Sequence, residues 1–269
     1  VKKLLLASLL MVGCGSLLAG CGATRGLLYY PSRTELALHP PDVDDMTFLS
    51  ADGTRLHGWL LRSPGATRAL LSCHGNGGNI EGRLGELYAL ASATKAHVLA
   101  FDYRGFGSSE GSPEESGLCA DAQAALLALG RATGVPPGRT VVLGHSLGGA
   151  VAIDLAWREP AIGGLIVVSS FTSLDDLISD LLLPGLGLLM PESWDSIDKV
   201  GAITKPKLFF HGEEDELIPV AHARALHARA APPKELVIVP REGHNDILAR
   251  PEVLVRIGSF VDGVAPGHS

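Results

Sequence analysis

Gly144-His145-Ser146-Leu147-Gly148 follows the apolar stretch TVVLG at 140–144 and runs into an Ala-rich segment. A G-x-S-x-G spacing at a strand-to-helix junction puts the serine on a sharp turn. Bulk two residues to either side would clash there, and the strained backbone lifts the hydroxyl above the sheet. The first amides of the following helix point at the same spot. Ser146 is therefore the candidate nucleophile, with Gly144 and Gly148 admitting the elbow. The plainer reading is a helix-capping serine in an ordinary turn.

Such a serine needs a base, and ten histidines compete. The chain order Ser–acid–His requires a late one. His244 follows ELVIVP in the turn REGHND, where a loop after the last strand can reach over the sheet. His57 and His97 fall in strand patterns and are read as structural. His222 and His227, five apart on one expected helix, match neither metal-binding pair and are read as solvated. His145 sits beside the nucleophile, but an elbow points its side chain away. For the acid, KLFFHGEEDELIP offers Glu213, Glu214, Asp215 and Glu216, and Asp175 and Asp176 form a second location. The residues alone do not choose among them.

A Gly-rich loop, His74-Gly75-Asn76-Gly77-Gly78-Asn79, follows a third apolar run. Such loops often hold phosphate, but Ile80 stands where a dinucleotide fingerprint needs its third glycine, and no Gly-Lys-Ser/Thr follows. Asp102, Arg104 and Glu110 in DYRGFGSSEG are read as ion pairs that order a loop.

The elements that must position these groups alternate. MTFLS and RLHGWLLR flank the turn Ala51-Asp52-Gly53 as a hairpin. Strands then follow at RALLSC, HVLAFD, TVVLG, GLIVVSS, KLFFH and ELVIVP. Helical stretches fall at 81–94, 114–132, 147–158, 220–230 and 249–262. Short continuous Val/Leu/Ile strands suit a parallel sheet covered on both faces. The fold class is α/β: a doubly wound, mostly parallel sheet with an N-terminal antiparallel hairpin. Catalytic groups belong on loops at the C-terminal ends of its strands.

With 46% hydrophobic residues the chain buries a full core, and a net charge of −7 without a basic block gives a nucleic-acid partner little support. Residues 1–20 read as a secretory leader: Lys2 and Lys3 precede an apolar stretch too short and interrupted for a comfortable span. Leu18-Ala19-Gly20-Cys21 resembles a lipobox, so Cys21 is the expected lipid-bearing residue. An exported protein anchored in a bacterial membrane is the expectation. Gly22, rather than Asp, favours the periplasmic side of the outer membrane in a Gram-negative organism. Residues 21–45 then form a tether and lead-in, and 46–264 the catalytic domain. Cys73 and Cys119 are expected as buried free thiols.

Taken together, HGNGGN, DYRGFGSSEGSP, GHSLGG, HGEEDELIP and GHND resemble the α/β-hydrolase superfamily from about residue 27 to 262. The set is similar to compact serine hydrolases of the "α/β-hydrolase domain-containing" kind, esterases and depalmitoylases. The resemblance implies Asp215 as the acid of a Ser146–His244–Asp215 triad. It makes the 74–79 loop half of an oxyanion hole, with the backbone amides of Asn76 and Leu147 as donors. Asn76 would act by its backbone, so Asn76→Ala is expected to be mild and Asn76→Pro severe.

The implied reaction is hydrolysis of an ester or thioester of an acyl or lipid substrate through an acyl-enzyme, without metal or cofactor. An amidase or peptidase of the same fold, and a non-catalytic lipid- or partner-binding lipoprotein, are the alternatives. A short cap at 171–200 leaves the site open. Its apolar residues Leu182, Leu189 and Met190 are the expected acyl wall.

Overall fold

The computed structural model describes residues 28–33, 40–182, 184, 187, 190 and 192–264. The leader, Cys21 and Leu189 lie outside the described residues. Eight strands form the main sheet: β1 (Val43–Leu49), β2 (Arg55–Leu61), β3 (Ala69–Cys73), β4 (His97–Asp102), β5 (Thr140–His145), β6 (Gly164–Val168), β7 (Lys207–Gly212) and β8 (Lys234–Val239). Their order is β1-β2-β4-β3-β5-β6-β7-β8. β2 pairs antiparallel with both β1 and β4, and the remaining neighbours are parallel.

The burial of each strand follows from its place. β3, β5 and β6 lie mid-sheet and are buried at every residue, so their sequences are uninterrupted apolar runs. The edge strand β1 carries solvent on one side and tolerates Asp44, Asp45 and Thr47. Helices α1 (Leu84–Thr94) and α7 (Pro251–Gly263) cover one face. The other face carries α2 (Glu115–Thr133), α3 (Leu147–Arg158), α5 (Ser196–Val200) and α6 (Ala221–Arg229). A hydrophobic cluster fills each interface.

Several features depart from the sequence reading. β1 starts at Val43, three residues before the strand expected at MTFLS. α7 starts at Pro251, since proline is pre-set for the first helical turn, and a 3-10 turn over Ile247–Ala249 precedes it. The cap contains a helix, α4 (Leu174–Leu181), opened by the Ser173 side chain accepting the Asp176 amide at 3.0 Å. Tyr30–Pro31 pairs in parallel with Gly77–Gly78, which ties the lead-in to the Gly-rich loop. Cys73 and Cys119 are buried and unbonded as expected. Among the described residues no helix is long and apolar enough to cross a membrane.

Candidate active site

β5 ends at His145 and α3 begins at Leu147, so Ser146 alone makes the turn, at φ 57° and ψ −121°. A non-glycine residue held there costs about 1–3 kcal/mol and needs its surroundings to enforce it. They do. A Cβ on Gly144 would lie 2.0 Å from the Gly148 carbonyl oxygen, and one on Gly148 would lie 2.0 Å from the Cys73 carbonyl oxygen. The Ser146 amide donates to the Val168 carbonyl at 2.9 Å, and the Ser170 hydroxyl donates to the Ser146 carbonyl at 2.9 Å.

His244, in the loop after β8, places Nε2 3.0 Å from Ser146 Oγ. Its Nδ1 donates to Asp215 Oδ2 at 2.8 Å, which leaves the Nε2 lone pair facing the serine hydroxyl. Asp215, just after β7, accepts the Leu217 and Ile218 amides on Oδ1 at 2.9 and 2.8 Å. Burial alone would raise its pKa. The bonds from His211, His244 and the Ile218 amide outweigh that and hold the carboxyl well below the ordinary range. Of the six acids left open by sequence, Asp215 is the one that meets His244. Asp176 instead takes the Thr172 hydroxyl at 2.6 Å, and neither it nor Asp175 meets His244.

Two histidines were misjudged from sequence. His145 does not turn away from the site: its ring lies 5.0 Å from that of His244, and its Nε2 donates to the His244 carbonyl at 3.0 Å. Burial, then the neighbouring His244, push its pKa down to about 3. His222 is buried rather than solvated; its Nδ1 accepts the Thr172 amide at 3.2 Å, and its Nε2 lies 3.3 Å from Asp180. Neither signal is local, because each partner lies tens of residues away. The loop ion pairs exist with partners the sequence did not name. Arg104 forks onto Asp121 and reaches Asp52, and Arg55 pairs with Glu110. Asp102 is fully buried and takes the Ile80 amide at 2.9 Å.

The Gly-rich loop leaves β3 beside the elbow. A Cβ on Gly75 would come within 3.4 Å of the Ser146 Cβ, so the backbone approaches closely there. His74 Nδ1 donates to the Gly75 carbonyl at 2.7 Å, and burial lowers its pKa to about 4. Asn76 has a role that sequence reasoning missed: its side-chain amide bonds the Leu28 carbonyl, while its own carbonyl accepts the Tyr30 amide at 3.2 Å. Leu147, as the first residue of α3, has an amide without an acceptor in its own helix.

A cavity of about 490 Å³ opens on Ser146. Asn76, Leu147 and His244 line it, and Phe171, Leu174, Leu177, Leu182 and Trp194 form its apolar wall. Leu182, expected in an acyl wall, lines the cavity. Met190 packs against the core cluster and is not among the residues described as lining the cavity. Among the described residues no group of three or more His, Cys, Asp or Glu is arranged to hold a metal ion.

The comparisons with known proteins follow this architecture. Residues 68–198 match the family model described as the alpha/beta hydrolase fold. The chain is 33% identical over 226 residues to the uncharacterized protein YfhR of Escherichia coli K12, covering 81% of this chain and 79% of that one. It is 33% identical over 222 residues to human alpha/beta hydrolase domain-containing protein 17B, covering 79% and 73%. A solved esterase of Pyrococcus furiosus superposes with a TM-score of 0.75 at 21% identity, over 89% of this chain and 98% of that one. That identity speaks to fold alone. With the sheet order, the elbow and relatives of this length agreeing, the chain belongs to the α/β-hydrolase fold family.

Proposed function

We propose that this protein is a serine hydrolase of carboxylic esters and thioesters with acyl or lipid substrates, using Ser146, His244 and Asp215. The observation that carries it is the unbroken array Asp215–His244–Ser146, at 2.8 and 3.0 Å, opening on an apolar cavity. His244 takes the Ser146 proton as Oγ attacks the carbonyl carbon. Asp215 fixes the tautomer and stabilises the imidazolium that forms. The amides of Asn76 and Leu147 receive the developing oxyanion, each such donor contributing about 3 kcal/mol. The tetrahedral adduct collapses with the His244 proton passing to the leaving oxygen or sulfur. Water then repeats the sequence on the acyl-enzyme.

Location belongs to the same reading: the chain is an exported lipoprotein held in a bacterial membrane through Cys21. The position of Leu28 in the cavity wall supports a site close to that anchor.

The test is fluorophosphonate labelling of the protein lacking residues 1–21, beside Ser146→Ala. Labelling and short-chain p-nitrophenyl ester turnover are expected in the first and abolished in the second, with the fold intact by circular dichroism. Turnover retained by Ser146→Ala overturns the assignment of the nucleophile, and a folded parent that neither labels nor turns over the ester overturns the reading and brings forward a non-catalytic lipid-binding role.

A further inference from the structure

The cavity walls differ in kind across Ser146. Phe171, Leu174, Leu177, Leu182 and Trp194 belong to, or pack on, the cluster beneath α2 and α3. Arg83 lines the cavity from the other side, where the chain enters α1 and the cluster beneath α1 and α7 begins. It is the one Lys or Arg among the described residues lining the cavity.

Arg83 has one fixed bond: Nη2 donates to the Gly77 carbonyl at 2.8 Å. Its Nε is shut off from solvent and has no partner. Among the described residues no carboxylate forms an ion pair within 4 Å of it, and Glu86, one turn along α1, feels its charge only from farther off. The cavity's own carboxylates form no ion pair with it. Glu216 is exposed, and Asp180 lies toward solvent against His222. The positive charge is felt at the site, where it helps to lower the pKa values of His74 and His145. A half-buried guanidinium with idle donors is costly unless something accepts them. Its planar fork matches the oxygens of a carboxylate or phosphate.

We propose that Arg83 is a specificity-determining residue, and that the substrate is an acyl ester whose alcohol part carries a carboxylate or phosphate group. The proposal rests on the serine-hydrolase reading. The acyl chain lies on the leucine wall and the anionic alcohol lies toward Arg83, with the carbonyl between them at Ser146. The Oγ–acyl bond forms, the ester C–O bond breaks, and His244 delivers the serine proton to the departing alkoxide. Water then releases the fatty acid, so the products are an acid and a free anionic alcohol.

The experiment compares substrates that differ only in the anion. One pair is 1-octanoylglycerol and 1-octanoylglycerol 3-phosphate; the other is propyl octanoate and 3-(octanoyloxy)propanoate. At low salt the parent protein is expected to favour the anionic member of at least one pair roughly ten-fold in kcat/KM, the size of one charge-assisted hydrogen bond. The pair that responds names the anion. Arg83→Gln should bring that ratio to about one through KM for the anionic member, with Arg83→Lys between. A purely structural role would lower both members equally. No preference in either pair, or a preference that Arg83→Gln retains, overturns the proposal.

Fluorophosphonate labelling runs alongside. A folded parent that neither labels nor turns over an ester overturns the hydrolase reading itself. If only Arg83→Gln fails to label, protection of the parent decides. 1-O-octylglycerol 3-phosphate should then protect Ser146 at roughly one-tenth the concentration needed of 1-O-octylglycerol, and equal protection rejects the subsite.

Discussion

His145 gives its Nε2 proton to the His244 carbonyl, and His74 gives its Nδ1 proton to the Gly75 carbonyl, so each ring is neutral and fixed in one tautomer. Both sit inside the fold with pKa values held near 3 and 4, chiefly by burial. In the unfolded chain each titrates near its free value of about 6.5. As pH falls below that value the unfolded chain takes up protons that the folded chain refuses. Stability therefore falls with pH, by up to about 1.4 kcal/mol per pH unit for each ring. Asp215 acts lower down: its depressed pKa adds stability above the ordinary carboxylate range, which is lost as pH falls from that range toward its lower folded-state value. Urea unfolding between pH 7 and pH 4.5 should show the decline due to the two histidines. His145→Gln, which keeps a donor but cannot titrate, should show a shallower slope below pH 6.5. Equal slopes would mean that His145 already charges in the folded state. Residues of this kind resist sequence reading. Ser146 and His244 announce themselves through glycine spacing and chain order, whereas His145 acts through a carbonyl 99 residues away.

The elements divide in the same way. The strands were legible because a buried parallel strand must be an apolar run. Helix α4 was missed although Leu174, Leu177, Ile178 and Leu181 repeat at helical spacing, since the leucine-rich run that follows blurs its end. The two-residue strand at Tyr30–Pro31 has no period to detect; its identity lies in pairing with Gly77–Gly78. That strap stiffens the site. Tyr29 is buried and bonds Glu192, the Ser193 and Trp194 amides bond Glu115, and Arg33 Nε bonds the Gly105 carbonyl at 2.9 Å. Asn76 is where the strap meets the Gly-rich loop, through its side chain as well as its backbone carbonyl. Asn76→Ala strands the Leu28 carbonyl, a loss of about 1–3 kcal/mol in local docking. The expected result is a several-fold drop in kcat on a short ester, with faster amide exchange at Tyr30 and Ser32. Unchanged kcat with unchanged exchange would show that the loop holds its shape without the strap.

At the scale of the whole molecule, the strap sets how far the site can stand from the lipid proposed at Cys21. Seven residue steps separate Cys21 from Leu28, and a fully extended chain covers at most about 25 Å in that length. A domain of this size has a radius of gyration of about 18 Å, so its far side lies well beyond that reach. Leu28 lines the cavity, which means that an anchor at Cys21 forces the cavity mouth toward the bilayer. Esters embedded in the membrane should then be favoured over soluble ones through tethering alone. A lipidated protein reconstituted in vesicles should turn over a bilayer-embedded ester several-fold better, relative to a water-soluble short ester, than its Cys21→Ser form. Inserting a 20-residue Gly/Ser linker after Gly22 adds about 25 Å of root-mean-square reach, enough for the domain to turn its mouth away. Its ratio should fall between the two while its soluble-ester activity stays at the parent value. If the linker form matches the parent, proximity suffices and the short span imposes no orientation. If Cys21→Ser also matches it, the anchor plays no part in substrate access.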